Sequence, residues 1–375
     1  MAIVRGWCPD AWRPMMAGDG LLLRVKPPLG RLTRDQLISL ATAARIHGNG
    51  QIDLTRRANL QLRGLDERSW PRLRDRLIDL RLVDADAKAE TARNLMIAPG
   101  WRAGDDSDRL GRALLARSHE WPRLPGKVGI IIDAGPVPIL HGEPGDFRIE
   151  RSMDGRLILR ADGRHAGMPL TRDHEIDALL ALAHWFVESG GLAAGRMGRH
   201  AVPLPAWAAG TVMPAAPSPP PMPGQWAGGL ACAVAFGRIT ATALERLDDQ
   251  PGWTALRLTP WRMFLVEGDI EGSLPPGLSC DPTDPLRHVD ACPGHPECPQ
   301  ASVETRMLAR RLAPHVAGRL HVSGCAKGCA GIAPADVLLT GHDGRYALSF
   351  PTTDATAPAR TALSIADILA HFGAH

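Results

Sequence analysis

The sequence predicts an α+β protein made of two related halves. Three observations support this. At 375 residues the chain exceeds the ~250–300 at which one hydrophobic core stops growing. Residues 18–65 read as a strand, helix, strand unit, and residues 229–266 repeat that order.

In the first unit, "LLLRV" alternates like a strand, and the chain then turns through Pro27, Pro28 and Gly30. Thr33 with Gln36 three residues on fits a capping box, and Leu37, Leu40, Ala41 and Ala44 form one apolar stripe. "HGNG" ends the helix, "QIDLTRR" and "NLQLRGL" resume alternation, and "RLVDADA" with its surroundings is expected to add further strands. In the repeat, "GRITATAL" at 237–244 lies over "GRLTRDQL" at 30–37, and "LRLTPWR" falls where "IDLTRRA" does. Between the copies, "VMPAAPSPPPMPGQW" at 212–226 holds six prolines and reads as a stiff, extended connector. "HEIDALLALAHWFVESGG" at 174–191 has an apolar face and a glycine stop, the pattern of a core-packing helix. The expected boundaries are 1–75, 76–210, a linker at 211–226, 227–285 and 286–375.

Hydrophobic residues make up 45% and charged residues 22%, the balance of a globular chain with ample material for a core. The net charge of +3, spread without a basic tract, names no nucleic-acid partner. No stretch approaches the ~20 apolar residues that cross a membrane, and the start lacks a leader pattern, so the expected location is cytoplasmic. Seven cysteines at uneven spacing argue against a secreted disulfide framework and for reduced thiols.

Four of those thiols form two tight pairs: Cys292 and Cys298 as C-x5-C, then Cys325 and Cys329 as C-x3-C, with 26 residues between the pairs. The five-residue spacer suits zinc poorly, whereas an iron–sulfur cubane is larger and accepts wider spacing. Pro293, Pro296 and Pro299 forbid regular structure around the first pair, and Gly324, Gly328 and Gly331 let backbone crowd a bulky group at the second. A helix is expected over 302–318, its positive end near the thiols. Zinc and two unrelated buried pairs remain the competing readings.

This pattern of cysteine pairs behind a duplicated unit resembles the sulfite and nitrite reductase superfamily. "LTRRANLQLRGL" at 54–65 is similar to that family's "LTTRQNIQLRGL", aligning Arg57 with an active-site arginine and retaining Gln61. "ARNLMIAPGWRAG" at 92–104 resembles the family's "TRN" segment and supplies Arg93 and Asn94. "LPGKVG" at 124–129 resembles a two-lysine segment, of which Lys127 remains while Gly129 takes the second position. "RGWCP", "RPMMAGDGLLLRV", "LRLTPWR" and "HVSGCAKGCAG" resemble one branch, the precorrin-3B synthase family.

The resemblance implies two pseudo-symmetric halves, each a ferredoxin-like half-domain plus a mixed α/β segment. It implies a 4Fe-4S cluster on Cys292, Cys298, Cys325 and Cys329, and a second non-haem iron. It further implies an oxygen-dependent oxidoreductase of the monooxygenase type that hydroxylates precorrin-3A at carbon 20 and closes a lactone, in aerobic cobalamin synthesis. The implied partners are precorrin-3A, dioxygen and an electron-donor protein; no dinucleotide fingerprint of the G-x-G-x-x-G kind follows a strand, so nicotinamide electrons must arrive through that partner. Arg57, Arg93 and Lys127 become the expected catalytic cations on substrate carboxylates, with Asn94 and Gln61 orienting them; the plain alternative is structurally paired charges. Losing a lysine to Gly129 favours a carboxylate-rich macrocycle over a small oxyanion.

The rival readings are a sirohaem-dependent sulfite or nitrite reductase and a non-catalytic cluster protein that carries electrons or senses redox state. Lys327 reads as a tuner of cluster potential or as a solvated lysine, and His295 as a ligand of the second iron or as a polar loop residue. Cys8, Cys232 and Cys280 read as buried small hydrophobes. His321 is left unassigned.

Overall fold

A computed structural model describes residues 8–331, 333–350 and 359–374. Arg5, Gly6 and Trp7 of the "RGWCP" stretch lie outside these. No helix among the described residues is long and apolar enough to cross a membrane.

Four sheets organise the described residues. The first joins strands Met15–Ala17, Gly20–Val25, Leu60–Leu65 and Gln51–Leu54, and the second joins Gly224–Trp226, Gly229–Val234, Met263–Gly268 and Trp253–Leu258. Each then takes its edge strand from the other half. Arg238–Thr240 pairs antiparallel with Gln51–Leu54, and Arg31–Thr33 pairs antiparallel with Trp253–Leu258. The halves are therefore interleaved, and one hydrophobic core runs through both, with Leu37, Ile52 and Leu62 packed in the same cluster as Leu244, Trp253 and Phe264.

The crossing is built into the backbone. Leu29 (φ 53°) and Phe236 (φ 59°) sit in the left-handed region just before the exchanged strands, as do Ala58 (φ 51°) and Arg262 (φ 54°) in the turns of the two strand pairs. Such a conformation costs an L-residue about 1–2 kcal/mol, and tertiary packing sustains it at matching positions in both halves. Each exchanged strand feeds straight into a helix. Thr33 and Gln36 form the expected capping box on Arg34–His47, and Thr240 caps Ala241–Arg246.

The third sheet (Leu95–Ile97, Ile130–Asp133, Phe147–Arg151, Leu157–Ala161, Met168–Pro169) and the fourth (Val289–Ala291, Leu320–Ser323, Val337–His342, Arg345–Ser349, Arg360–Leu363) share one topology. In each, the first three strands are parallel and the rest antiparallel. "IIID" is buried at every position, as a strand covered on both faces must be. Helix Glu175–Glu188 packs Leu179, Leu182 and Phe186 against the third sheet.

Two expectations fail. Residues 81–86 form turns rather than strands, leading into helix Ala87–Ala92. The helix expected over 302–318 is confined to Arg306–Leu312, followed by a 3-10 turn at Ala313–His315. The preceding residues are spent on the cysteine loops: Ser302 N–H donates to Gly324 O at 2.9 Å and Thr305 Oγ1 to Cys292 O at 2.5 Å. Pro314 then prevents the helix from continuing.

Candidate active site between the interleaved halves

The turn after strand Gln51–Leu54 carries Arg57, and the strand starts at Leu95 and Ile130 carry Asn94 and Gly129. The fold brings them together. Arg57 Nη2 donates to Lys127 O at 2.7 Å, Asn94 Nδ2 donates to Val128 O, and Asn94 O accepts from Ile130 N–H. A Cβ on Gly129 would stand 3.6 Å from Arg57 Nη1 and 3.8 Å from Asn94 Nδ2, ordinary van der Waals contact, so the buried glycine lies directly against both groups. Lys127 is exposed and Gln61 is half-buried.

Arg93 takes a different place. Its Nη1 pairs with the fully buried Glu90 at 3.2 Å, and its Nη2 donates to the Lys26 and Leu82 carbonyls. Lys26 Nζ lies 3.7 Å from the same carboxylate. Both cations are committed within the protein.

The structure adds residues that motif reading passes over. Arg24 lies opposite Gln61 in the strand register, and burial pushes its guanidinium below its ordinary pKa, with the Cys8 thiol opposing that shift. Arg24 Nε is buried with no hydrogen-bond partner among the described residues. Burial likewise lowers Arg57; Cys8 opposes the shift, while Arg24 and Arg196 add to it. Arg196 Nε donates at 2.9 Å to the fully buried Asp146, whose other oxygen accepts from Gly129 N–H. The reading of Cys8 as a small apolar filler is therefore corrected: it neighbours two arginines. A lone charge in the otherwise apolar strand "GLLLRV" was the available signal for Arg24; Arg196 has none.

An ion-pair cluster ties this sheet to the first cysteine loop. Arg238 grips Asp53 through two bonds, at 2.6 and 3.0 Å, and also binds Glu297; Arg306 lies 3.8 Å from Asp53 and 3.7 Å from Glu297. Gly18 N–H donates to Glu297 O at 3.1 Å.

The cysteine loops face each other. Cys292 is buried and its Sγ accepts from Gly324 N–H at 3.2 Å. Burial raises the Cys329 thiol; Lys327 counters this and Cys325, Cys292 and Cys298 reinforce it, so the other three thiols all act on Cys329. A cavity of about 400 Å³ lies against the second loop, lined by His321, Cys325, Gly328 and Gly331. His321 Nε2 is buried there without a partner among the described residues. Of the four thiols Cys325 alone lines this cavity; four thiols on two facing loops with an N–H aimed at one sulfur are the donor chemistry that suits an iron–sulfur cluster. No group of three or more His, Cys, Asp or Glu side chains among the described residues, the four cysteines included, is drawn together closely enough to hold a metal ion. Exposed His295 belongs to no such group. Cys232 and Cys280 lie elsewhere, their sulfurs 3.0 Å apart.

Residues 13–80 match the nitrite/sulfite reductase ferredoxin-like half domain. The solved structure of Mycobacterium tuberculosis NirA superposes with a TM-score of 0.57 at 18% identity, covering 91% of this chain and 76% of that one. The likeness to NirA shows the fold, and the half-domain match points to the nitrite/sulfite reductase superfamily, a class that implies iron–sulfur and sirohaem-type cofactors. Ferredoxin–nitrite reductase of Synechococcus elongatus is 26% identical over 89% of this chain and 78% of its own. A Sinorhizobium precorrin-3B synthase is 32% identical over 92% of this chain and 82% of its own. The chain belongs to the precorrin-3B synthase family within that superfamily.

Proposed function

We propose that this protein performs the oxygen-dependent conversion of precorrin-3A to precorrin-3B, inserting one oxygen atom as a hydroxyl at carbon 20 while the ring A acetate closes a lactone on carbon 1. Dioxygen supplies that atom, and its second oxygen leaves as water with two electrons and two protons from a donor protein. Cys292, Cys298, Cys325 and Cys329 hold a 4Fe-4S cluster, which supplies single-electron chemistry when bound. Arg57 and Lys127 grip the macrocycle's carboxylate arms, with Gln61 and Asn94 orienting them; bidentate guanidinium pairing suits such arms. Arg93, committed to Glu90, acts by positioning Asn94 at the start of its strand.

Gly129 carries this reading. A second lysine there would stand against Arg57, whereas glycine keeps a further cation out of the site and so reduces the positive charge that concentrates small oxyanions.

The test is anaerobic purification with iron, acid-labile sulfide and pigment analysis and EPR of the reduced protein. Incubation with precorrin-3A, a reductant and 18O-labelled dioxygen follows. One labelled oxygen in the product is expected, with no sirohaem absorption. A sirohaem Soret band with turnover of sulfite or nitrite would establish the reductase instead. An intact cluster with no turnover would leave an electron carrier.

A further inference from the structure

The two-fold relation between the halves gives the Arg57 site a mate. Gly129 N–H donates to Asp146 Oδ2, and Gly129 O accepts from Asp146 and Phe147 N–H. In the second half Arg319 N–H donates to Asp336 Oδ2, and Arg319 O accepts from Asp336 and Val337 N–H. Arg319 therefore occupies the position of Gly129. Likewise Trp261 precedes left-handed Arg262 as Arg57 precedes left-handed Ala58. The face that carries Arg24 and Gln61 in the first sheet carries Ala231, Met263 and Leu265 in the second, packed with Trp261.

A cavity of about 490 Å³ lies at this mated position. Its size is within the ~300–1,000 Å³ of ordinary small-molecule sites. Ala233, Met263, Trp261 and Phe236 make its floor, and residues 219–223 of the proline-rich segment close one side. Among the described residues, five arginines line it against three carboxylates. Two of those carboxylates are already engaged: Asp290 by Arg262 at 2.6 Å and Arg319 at 3.3 Å, Asp284 by the Leu286 N–H. Glu143 accepts from Trp261 Nε1 at 2.9 Å, and burial raises its carboxyl pKa against the opposing pull of Arg56. Arg310 lies over the Phe236 ring at 5.1 Å, and Arg319 Nε is buried with no hydrogen-bond partner among the described residues.

We propose that this cavity is a second binding site, separate from the Arg57 site, for a flat conjugated ring system bearing carboxylate arms: a tetrapyrrole. The apolar floor accepts the ring face, and Arg56, Arg287 and Arg310, the lining arginines outside the Asp290 pairs, accept the arms. With Trp261 in place of Arg57 and with none of the four candidate cysteines on its wall, the cavity binds without reacting. It holds a waiting substrate or a departing product. The choice of a tetrapyrrole among flat polycarboxylates rests on the proposed function; the cavity and its charge do not.

The probe is a fluorescent tetracarboxylate porphyrin, coproporphyrin III, titrated into the purified full-length holoprotein. Two sites per chain are expected. Ala233→Trp, which fills the cavity from its floor, removes one site and leaves the other. Arg287→Gln combined with Arg310→Gln spares the buried pairs and weakens the same site by about tenfold, through the lost charged contacts. Arg57→Gln weakens only the other. A single site in the unaltered protein, or two sites surviving in Ala233→Trp with unchanged affinity, overturns the proposal. If Ala233→Trp fails to fold by circular dichroism, the double arginine variant decides: an unchanged second site overturns it. A second site that responds as expected in a protein inert toward precorrin-3A leaves the cavity standing and removes the proposed function.

Discussion

Asp53→Asn tests the interleaving of the halves. Asp53 is 13% exposed and faces three arginines that are themselves nearly buried: Arg238 at 9%, Arg63 at 6% and Arg306 at 17%. Asparagine keeps the shape and removes the charge. Arg238 retains Glu297 and Arg63 retains Asp19, but Arg306 is left with a single carboxylate 3.7 Å away. Breaking a buried pair costs about 3–5 kcal/mol, and the surviving partners put the expected loss near 3 kcal/mol. The assay is urea unfolding followed by tryptophan fluorescence, since Trp253 lies in the shared core. Burial alone would raise the Asp53 carboxyl, yet Arg238, Arg306 and Arg63 hold it below the usual carboxylate range. Its contribution is thus complete above the unfolded value of ~3.9 and is lost as pH falls through the lower folded value. The gap between the two proteins is expected to stay constant from pH 7 to about 5 and to close below about pH 4. A difference under ~1 kcal/mol at pH 7, or one that persists at the acid end, refutes the reasoning.

Asp133 runs the other way. Burial pushes its carboxyl up to about 6, so the folded state holds the proton more tightly and stability falls as pH rises from about 4 to 6, by up to ~3 kcal/mol. Asp133→Asn, which keeps an acceptor for the Ile139 and Leu140 N–H groups, should flatten that decline in a pH series of urea unfolding curves. Gly129→Lys places a cation beside Arg57, where two charges ~5 Å apart repel by about 3 kcal/mol at an effective dielectric of 20. Precorrin-3A turnover should fall at least tenfold while sulfite or nitrite binding, read by calorimetry, strengthens. Gly18→Ala drives a Cβ to 2.4 Å from the Glu297 carbonyl and so pushes the first hairpin off the cysteine loop. Iron and sulfide content should drop although no cysteine has changed. Cys325→Ser should reduce iron and sulfide more severely, with circular dichroism reporting the fold.

The strand, helix, strand units were legible because alternation, capping and glycine stops act over a few residues. Thr33 and Gln36 announce their helix by themselves. The strand exchange was not legible. Nothing within Arg31–Thr33 states which sheet completes it; its Arg31 finds Glu267, 236 residues away. The shortened helix at Arg306 has the same cause, since the backbone before it bonds to loops more than ten residues distant. At the site, the motifs place Arg57, Asn94, Lys127 and Gly129 in one neighbourhood. They name Arg93 among the catalytic cations as well, but its guanidinium pairs with Glu90 on helix Ala87–Ala92, a partner that no motif names.

The two halves keep one frame while their charges invert. Arg238 crosses to pair with Asp53, and Arg31 crosses to pair with Glu267; beside them Arg63 pairs with Asp53 and Arg257 with Glu267. Arg257 stands where Asp53 does in its strand, so the acid and the base have exchanged places without loss of the pair. The frame requires a charge pair at that position and not a particular sign. That freedom explains how the neighbouring surfaces diverged. Around Arg57 the frame supports arginines on one polar face, and around Trp261 it supports an apolar floor under arginines supplied by other elements. Because the exchanged strands and shared core hold both positions rigid, substitutions on either floor change what binds without changing where it binds. Variants at Arg57 and at Ala233 should therefore act additively on binding, within the ~0.5 kcal/mol expected of independent sites, and coupling beyond that would mean that the interleaved core transmits between them.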